Sequence, residues 1–264
     1  MFDYDLELKK FKPAVGVEIG EDELFSDDIK DITDLVEELV AEERKLLSKF
    51  SRRNIMKCIK CGRPVGASRY CNACGFDNKH IAKALNTADY YYNIGLEKAQ
   101  MHDLSGAEIY LKKALNYNKS HKNARNLLGL VYNEMGEGGK AYIQWKISAK
   151  LSSVEENVAN LYIRQMEEHP AVFEEINETA KKYNTALSYA KQGSDDLAMI
   201  QVKKVLSITP NFVNAHLLFA LLHMRAGDNA SAQIDLNNAL AIDRYNTTAR
   251  RYLNEMGENP DTVP

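Results

Sequence analysis

The sequence contains no run of about 18 or more apolar residues, so it offers no candidate membrane-crossing helix. Its N-terminus is acidic and lacks the basic leader and apolar core of a secretory signal, which leads us to expect a soluble, cytoplasmic protein. Cysteine is scarce: all four, Cys58, Cys61, Cys71 and Cys74, lie within 17 residues. That clustering excludes a disulfide framework spread over the chain and fits metal ligation in a reducing compartment. No spacing places a nucleophile beside a base, so an enzyme is not expected. Gly136 to Ala141 lacks both the leading glycine and the trailing hydroxyl residue of a phosphate loop, and reads as a turn between helices. His216 and His223 lie seven apart on one helix without a third ligand or a metalloprotease glutamate, and read as packing or solvated histidines.

Charge is unevenly spread. The net charge is -3, yet residues 1–50 hold 15 acidic and 7 basic side chains, whereas residues 51–83 hold 1 acidic and 8 basic. Arg52, Arg53, Lys57, Lys60, Arg63, Arg69 and Lys79, with Tyr70 among them for stacking, admit a nucleic-acid factor as an alternative function. One short basic patch supplies few phosphate contacts, so the solvated-face reading is preferred and nucleic acid is not the expected partner.

Residues 1–55 form an acidic segment. Up to about Ser26 there is little periodicity, Pro13, Gly16 and Gly20 interrupt any helix, and the stretch is expected to be disordered. From about residue 27 to 50, Ile29, Ile32, Val36, Leu39, Leu46 and Phe50 recur in steps of three and four, with Glu43 on the seam, which predicts an amphipathic helix. Such a stripe can pair with a second copy, bind a separate partner, or dock back on the rest of the chain as a plug.

Cys58-x2-Cys61-Gly62 and Cys71-x2-Cys74-Gly75 can each bind an ion from a tight turn, the glycine letting backbone N–H groups approach the sulfurs. Two such turns complete a tetrahedral sulfur shell with no open position. The chain here, residues 56–79, resembles a short zinc ribbon, which implies one structural Zn2+ on Cys58, Cys61, Cys71 and Cys74. An iron site, a redox dithiol pair or a thiol/metal sensor remains the alternative. So small a unit cannot fold on apolar burial alone, so its order is expected to come from the metal.

The rest, residues 80–264, repeats with a period of 34. With Ala88 and Lys122 in the first position, Ile94-Gly95 falls on Leu128-Gly129, Ala107 on Ala141, Leu111 on Trp145 and Ala114 on Ser148. Small residues recur where helices touch, and large ones where they fill the gap. The pattern resembles the tetratricopeptide repeat family, which implies an all-α solenoid: a right-handed array of four helix pairs. The copies are residues 88–121, 122–155, 179–212 and 213–246, with an insert at 156–178 and a capping helix at 247–256. Whether the insert splits the concave surface is left open. Ribbon followed by repeats is similar to bacterial zinc-ribbon repeat proteins.

The resemblance implies a scaffold that binds a protein or peptide partner in the groove lined by the first helix of each pair. It points to Tyr92, Leu96, Asn123, Asn126, Leu130, Asn133, Tyr183, Leu187, Leu217, Leu221 and Met224. The basic residues by which chaperone-binding relatives hold a terminal carboxylate are missing: Tyr92 replaces a lysine, and Leu127 stands where asparagine is expected. The expected ligand is therefore an apolar segment, extended or helical, whose backbone amides are bound by asparagine side chains.

Overall fold

The computed structural model describes residues 2–17, 57–58, 60–63, 69–151 and 157–257. The helix expected over residues 27–50 lies outside these, as do residues 56, 59 and 64–68 of the expected ribbon. Among the described residues the fold is all-α: α1 is Tyr4–Leu8, followed by α2 Lys79–Gln100, α3 Leu104–Tyr117, α4 Lys122–Glu134, α5 Gly138–Leu151, α6 Val158–Glu167, α7 Pro170–Lys191, α8 Asp195–Ile208, α9 Val213–Arg225, α10 Asn229–Ile242 and α11 Thr247–Glu255. The architecture is a tetratricopeptide-repeat-like solenoid of helix pairs, α2/α3, α4/α5, α7/α8 and α9/α10, capped by α11.

The 34-residue phase has a backbone cause. His102, Gly136, Gly193 and Gly227 occupy the same place in their repeats, and all four take positive φ, at 55, 75, 77 and 78°. This left-handed residue reverses the chain between the two helices of each pair, which is why three of the four are glycine. Asp103 and Asp228 follow as N-caps, their carboxylates accepting from the N–H groups of Gly106 and Ser231 at 3.0 and 3.1 Å. Where the helices of a pair cross, Ala107, Ala141, Ala198 and Ala232 are fully buried. Gly129 faces the Trp145 ring so closely that a Cβ there would lie 2.3 Å from Nε1, and Gly95 stands in the same relation to Leu111. The large residue on the second helix is admitted because the first presents backbone.

The insert supplies α6 and the first turns of α7, which opens with Pro170 at its N-terminus, where proline's missing N–H is not needed. At 22 residues, α7 runs without a break into the first helix of the third repeat. After this detour the two halves of the array meet. The turn of the first repeat meets the loop closing the fourth: Arg244 N–H donates to the His102 carbonyl at 2.9 Å, and buried Asp243 accepts from the N–H groups of Leu104 and Ser105 at 2.9 and 3.3 Å. The turn of the second repeat meets the loop closing the third, where Asn211 donates to the carbonyls of Asn133 and Glu134 at 3.2 and 2.9 Å, and Val213 N–H donates to the Met135 carbonyl at 3.2 Å. Gly136 is thus both a turn and a contact, since a Cβ there would meet the backbone of Phe212.

The expectation of disorder up to Ser26 is corrected for residues 2–17. Asp3 caps α1 by accepting from the Leu6 N–H at 3.0 Å, and Leu8, Phe11 and Val17 join the apolar core formed by the repeats. The segment lacks internal periodicity because its partners are distant helices and not its own neighbours.

Candidate functional sites: a filled groove and a four-cysteine centre

Residues 2–17 run along the first helices of the last two repeats and the cap. At the N-terminal end, Phe2 stacks edge-on against Tyr4 and Tyr252, and the Tyr4 hydroxyl donates to the Met224 carbonyl at 3.3 Å. Glu7 follows as a buried carboxylate. Arg251 on α11 grips it with both terminal nitrogens, at 2.6 and 2.5 Å, the Tyr252 hydroxyl donates to it at 3.2 Å, and Lys10 reaches it at 2.7 Å. The Arg251 guanidinium holds the Glu7 carboxyl down at about 2, outweighing burial, which pushes it up; Lys10 adds to the lowering. Burial, with the neighbouring Glu7 charge, pushes the Tyr252 hydroxyl up, so it stays a donor.

Beyond Phe11 the chain is extended, and α7 reads its backbone. The Asn184 carboxamide accepts from the Ala14 N–H at 2.7 Å and donates to the Ala14 carbonyl at 3.1 Å. Asn177 does the same to Val17, at 2.6 and 2.7 Å. These groups belong to no sheet, and without the carboxamides their burial would be costly. Two close approaches favour glycine. A Cβ on Gly16 would come 2.5 Å from Asn177 Oδ1, and one on Gly139, at the start of α5, would overlap the Val15 carbonyl. A cavity of about 310 Å³ beside this segment is lined by residues including Val15, Glu137, Gly139, Ile176, Thr179 and Phe212.

The expected groove residues divide. Tyr183, Leu187, Leu217, Leu221 and Met224 are buried in the apolar cluster that also contains Leu8, Phe11 and Val17. Those of the first two repeats lie apart from the polar contacts of the arm, residues 2–17: Tyr92 packs its ring 4.9 Å from His121, Asn126 donates to the Asn157 side chain at 3.0 Å, Asn123 and Asn133 are exposed, and Leu96 and Leu130 are half-buried. Sequence reasoning missed Asn177, Asn184, Gly139, Arg251 and Tyr252. One signal was available: the asparagine that Leu127 replaces in the second repeat is present at the same position of the third, as Asn184. His216 is buried, with Nδ1 3.1 Å from Asp235 and Nε2 2.9 Å from the Pro210 carbonyl, a packing histidine held at both nitrogens.

The four cysteines form the second site. Their sulfurs all lie within 4.8 Å of one another, with Cys58 to Cys74 at 3.6 Å and Cys61 to Cys71 at 3.7 Å. A tetrahedron with metal–sulfur bonds of about 2.3 Å needs edges of about 3.8 Å, so the donor set fits one ion. The two halves are built alike. Gly62 and Gly75, both at φ 69°, return their N–H groups to the carbonyls of Cys58 and Cys71 at 2.9 and 2.8 Å. Burial alone would push the Cys58 thiol up, but the backbone N–H groups of Cys61 and Lys60 and the Asn78 amide bring it down to about 6. For Cys74 the Phe76 N–H favours the thiolate, yet burial and the three other sulfurs push it up to about 12. Four thiolates this close require a cation between them.

Asn78 ties this centre to the array. It is buried, immediately precedes α2, donates to Cys58 Sγ at 3.5 Å and receives the Arg69 carbonyl on its N–H at 2.6 Å. Arg69 in turn forks onto Asp77, with its closest contact at 2.7 Å, and lies over the Tyr70 ring.

The tetratricopeptide repeat family model matches residues 88–121, the first of the four 34-residue units. No curated protein matches the chain. No helix among the described residues is long and apolar enough to cross a membrane.

Proposed function

We propose that a chain with this repeat is a non-enzymatic scaffold, whose concave face binds a polypeptide segment and whose four cysteines hold one structural zinc ion. The observation that carries the first half is the seating of residues 2–17: an extended segment lies against α7, α9 and α11, apolar side chains inward and backbone amides paired with asparagine side chains. This is how a helical groove can accept a peptide without a sheet edge. The closed shell of four sulfurs carries the second half, because it leaves a metal no position for a substrate. Thiolate ligands of this kind suit a reducing compartment, the cytoplasm.

Of the basic residues that suggest a nucleic-acid factor, Arg69 is paired with Asp77. The test is selection from a displayed library of random peptides against the full chain carrying Leu8→Asp and Phe11→Asp, which loosen residues 2–17, with nuclease present throughout. Enrichment of apolar peptides competing for one site supports the scaffold. Binding of nucleic acid in a parallel selection, with no peptide enriched, refutes it. Elemental analysis should give one zinc per chain, and iron in its place would remove the zinc assignment.

A further inference from the structure

Residues 2–17 do more than complete the core, because the face they occupy is built to read a peptide at defined positions. Asn177 and Asn184 stand seven residues apart on α7, about 10.5 Å along the axis at 1.5 Å per residue. Ala14 and Val17 are three residues apart in extended chain, about 10 Å at 3.3 to 3.4 Å per residue. The two carboxamides therefore match the pitch of an extended segment running antiparallel to the helix, and each satisfies the N–H and the carbonyl of one residue. Contacts of this kind fix register without choosing side chains.

Side-chain selection comes from elsewhere on the track. At Gly16 a Cβ would lie 2.5 Å from Asn177 Oδ1, so a larger residue there must displace the carboxamide that pairs with Val17, and the position favours glycine. Glu7 meets the fork of Arg251 and the Tyr252 hydroxyl, an anchor for one carboxylate. Leu8, Phe11, Val15 and Val17 turn apolar side chains inward, with exposures of 3, 8, 9 and 6 %. The receptor side is partly polar: Arg251 remains 39 % exposed, and the asparagines can be hydrated when uncovered. Uncovering such a mixed face costs less than uncovering a wholly apolar one.

We infer that residues 2–17 are an internal competitor for an extended segment of a partner protein with the same pattern: a carboxylate, apolar residues one, four, eight and ten places later, and glycine nine places later. This deepens the scaffold reading and rests on it. Thirty-nine residues, 18–56, separate Val17 from Lys57 in sequence. Because the arm is covalently attached, its binding is intramolecular, so a free copy of the peptide is outcompeted on the intact chain and admitted once the arm is weakened.

The experiment uses full-length chains and a fluorescent synthetic peptide with the sequence of residues 2–17. The chain carrying Leu8→Asp and Phe11→Asp should bind it at least tenfold more tightly than the intact chain. Gly16→Val in the peptide should abolish at least nine-tenths of that affinity, as should Asn177→Leu with Asn184→Leu in the receptor. Equal binding by both chains, or indifference to Gly16→Val, overturns the proposal. If the weakened-arm chain loses its helical circular dichroism, hydrogen exchange on the intact chain decides: excess peptide should accelerate exchange of the chain's own residues 2–17, and unchanged protection overturns the proposal. A concentration-dependent dimer of the intact chain, with arms exchanged between copies, would put a second copy in the groove and overturn it also. If unrelated apolar peptides bind while the arm peptide does not, this inference fails and the scaffold stands; if no peptide binds, both fail.

Discussion

Asn184 and Ala14, 170 residues apart, are joined by hydrogen bonds in both directions: the carboxamide oxygen accepts the Ala14 N–H at 2.7 Å, and the carboxamide nitrogen donates to the Ala14 carbonyl at 3.1 Å. A side chain thus does for this residue what a neighbouring strand does in a sheet. The substitution Asn184→Leu keeps the branched shape but removes the polar atoms, leaving a partly buried N–H and carbonyl without partners. Each of Asn177→Leu and Asn184→Leu should weaken seating of residues 2–17 by about 1–3 kcal/mol. Limited trypsin digestion, cutting after Lys9 or Lys10, should accelerate in both variants while the helical signal persists.

Glu7 makes seating depend on pH with a definite sign. Its carboxyl ordinarily titrates at 4.5 and is held at about 2 when seated, so its contribution is complete above about pH 4.5 and is lost as the pH falls toward 2. Glu7→Gln should therefore loosen the arm near neutral pH by about 1–2 kcal/mol, a value reduced by the partial exposure of Arg251. The difference between variant and parent should shrink progressively below pH 4.5. Arm exchange rates measured for both chains across that range check this, and a pH-independent difference would contradict it.

Among the described residues, the centre of four cysteines is coupled to the array at the start of α2, through Asn78 and through Ile81, which packs against Cys58 and Cys71. Chelating the metal, or Cys71→Ser, should leave most helical signal intact, since no sulfur ligand comes from the repeats. The first turns of α2 should nevertheless fray, because Asn78 bridges Cys58 to the start of that helix. Hydrogen exchange at residues 79–87, compared with 122–134, measures this: faster exchange confined to the former is expected.

Asp243 clasps the first repeat to the fourth. Its carboxylate sits at the N-terminus of α3 and accepts two backbone N–H groups while bound by Asn246 at 2.9 Å. Asp243→Ala should cost about 1–2 kcal/mol, as loss of a helix cap does, and let the halves separate. Small-angle scattering should show a larger radius of gyration; an unchanged radius with unchanged thermal stability would show that the clasp contributes nothing.

Much of the architecture was legible because it is local. His102, Gly136, Gly193 and Gly227 mark the turns at one phase, and Gly129 with Trp145 encodes a helix crossing within one repeat. The cysteine cluster was legible for the same reason, its ligands lying within two short turns. The seating of residues 2–17 was not legible, since Ala14 and Val17 are held by Asn184 and Asn177 across 170 and 160 residues and the arm itself carries no period. Nor was the clasp, which depends on single loop residues, Asp243 and Asn211, rather than on any repeated position.

The central claim is that the concave face holds an extended segment by its backbone, and amide hydrogen exchange of the intact chain at low protein concentration tests it most directly. The Ala14 and Val17 amides, which donate to Asn184 and Asn177, should exchange at least a hundredfold more slowly than in the free peptide of residues 2–17, and should lose that protection in the chain carrying both asparagine-to-leucine substitutions. Exchange of these two amides in the intact chain at the free-peptide rate would contradict the account.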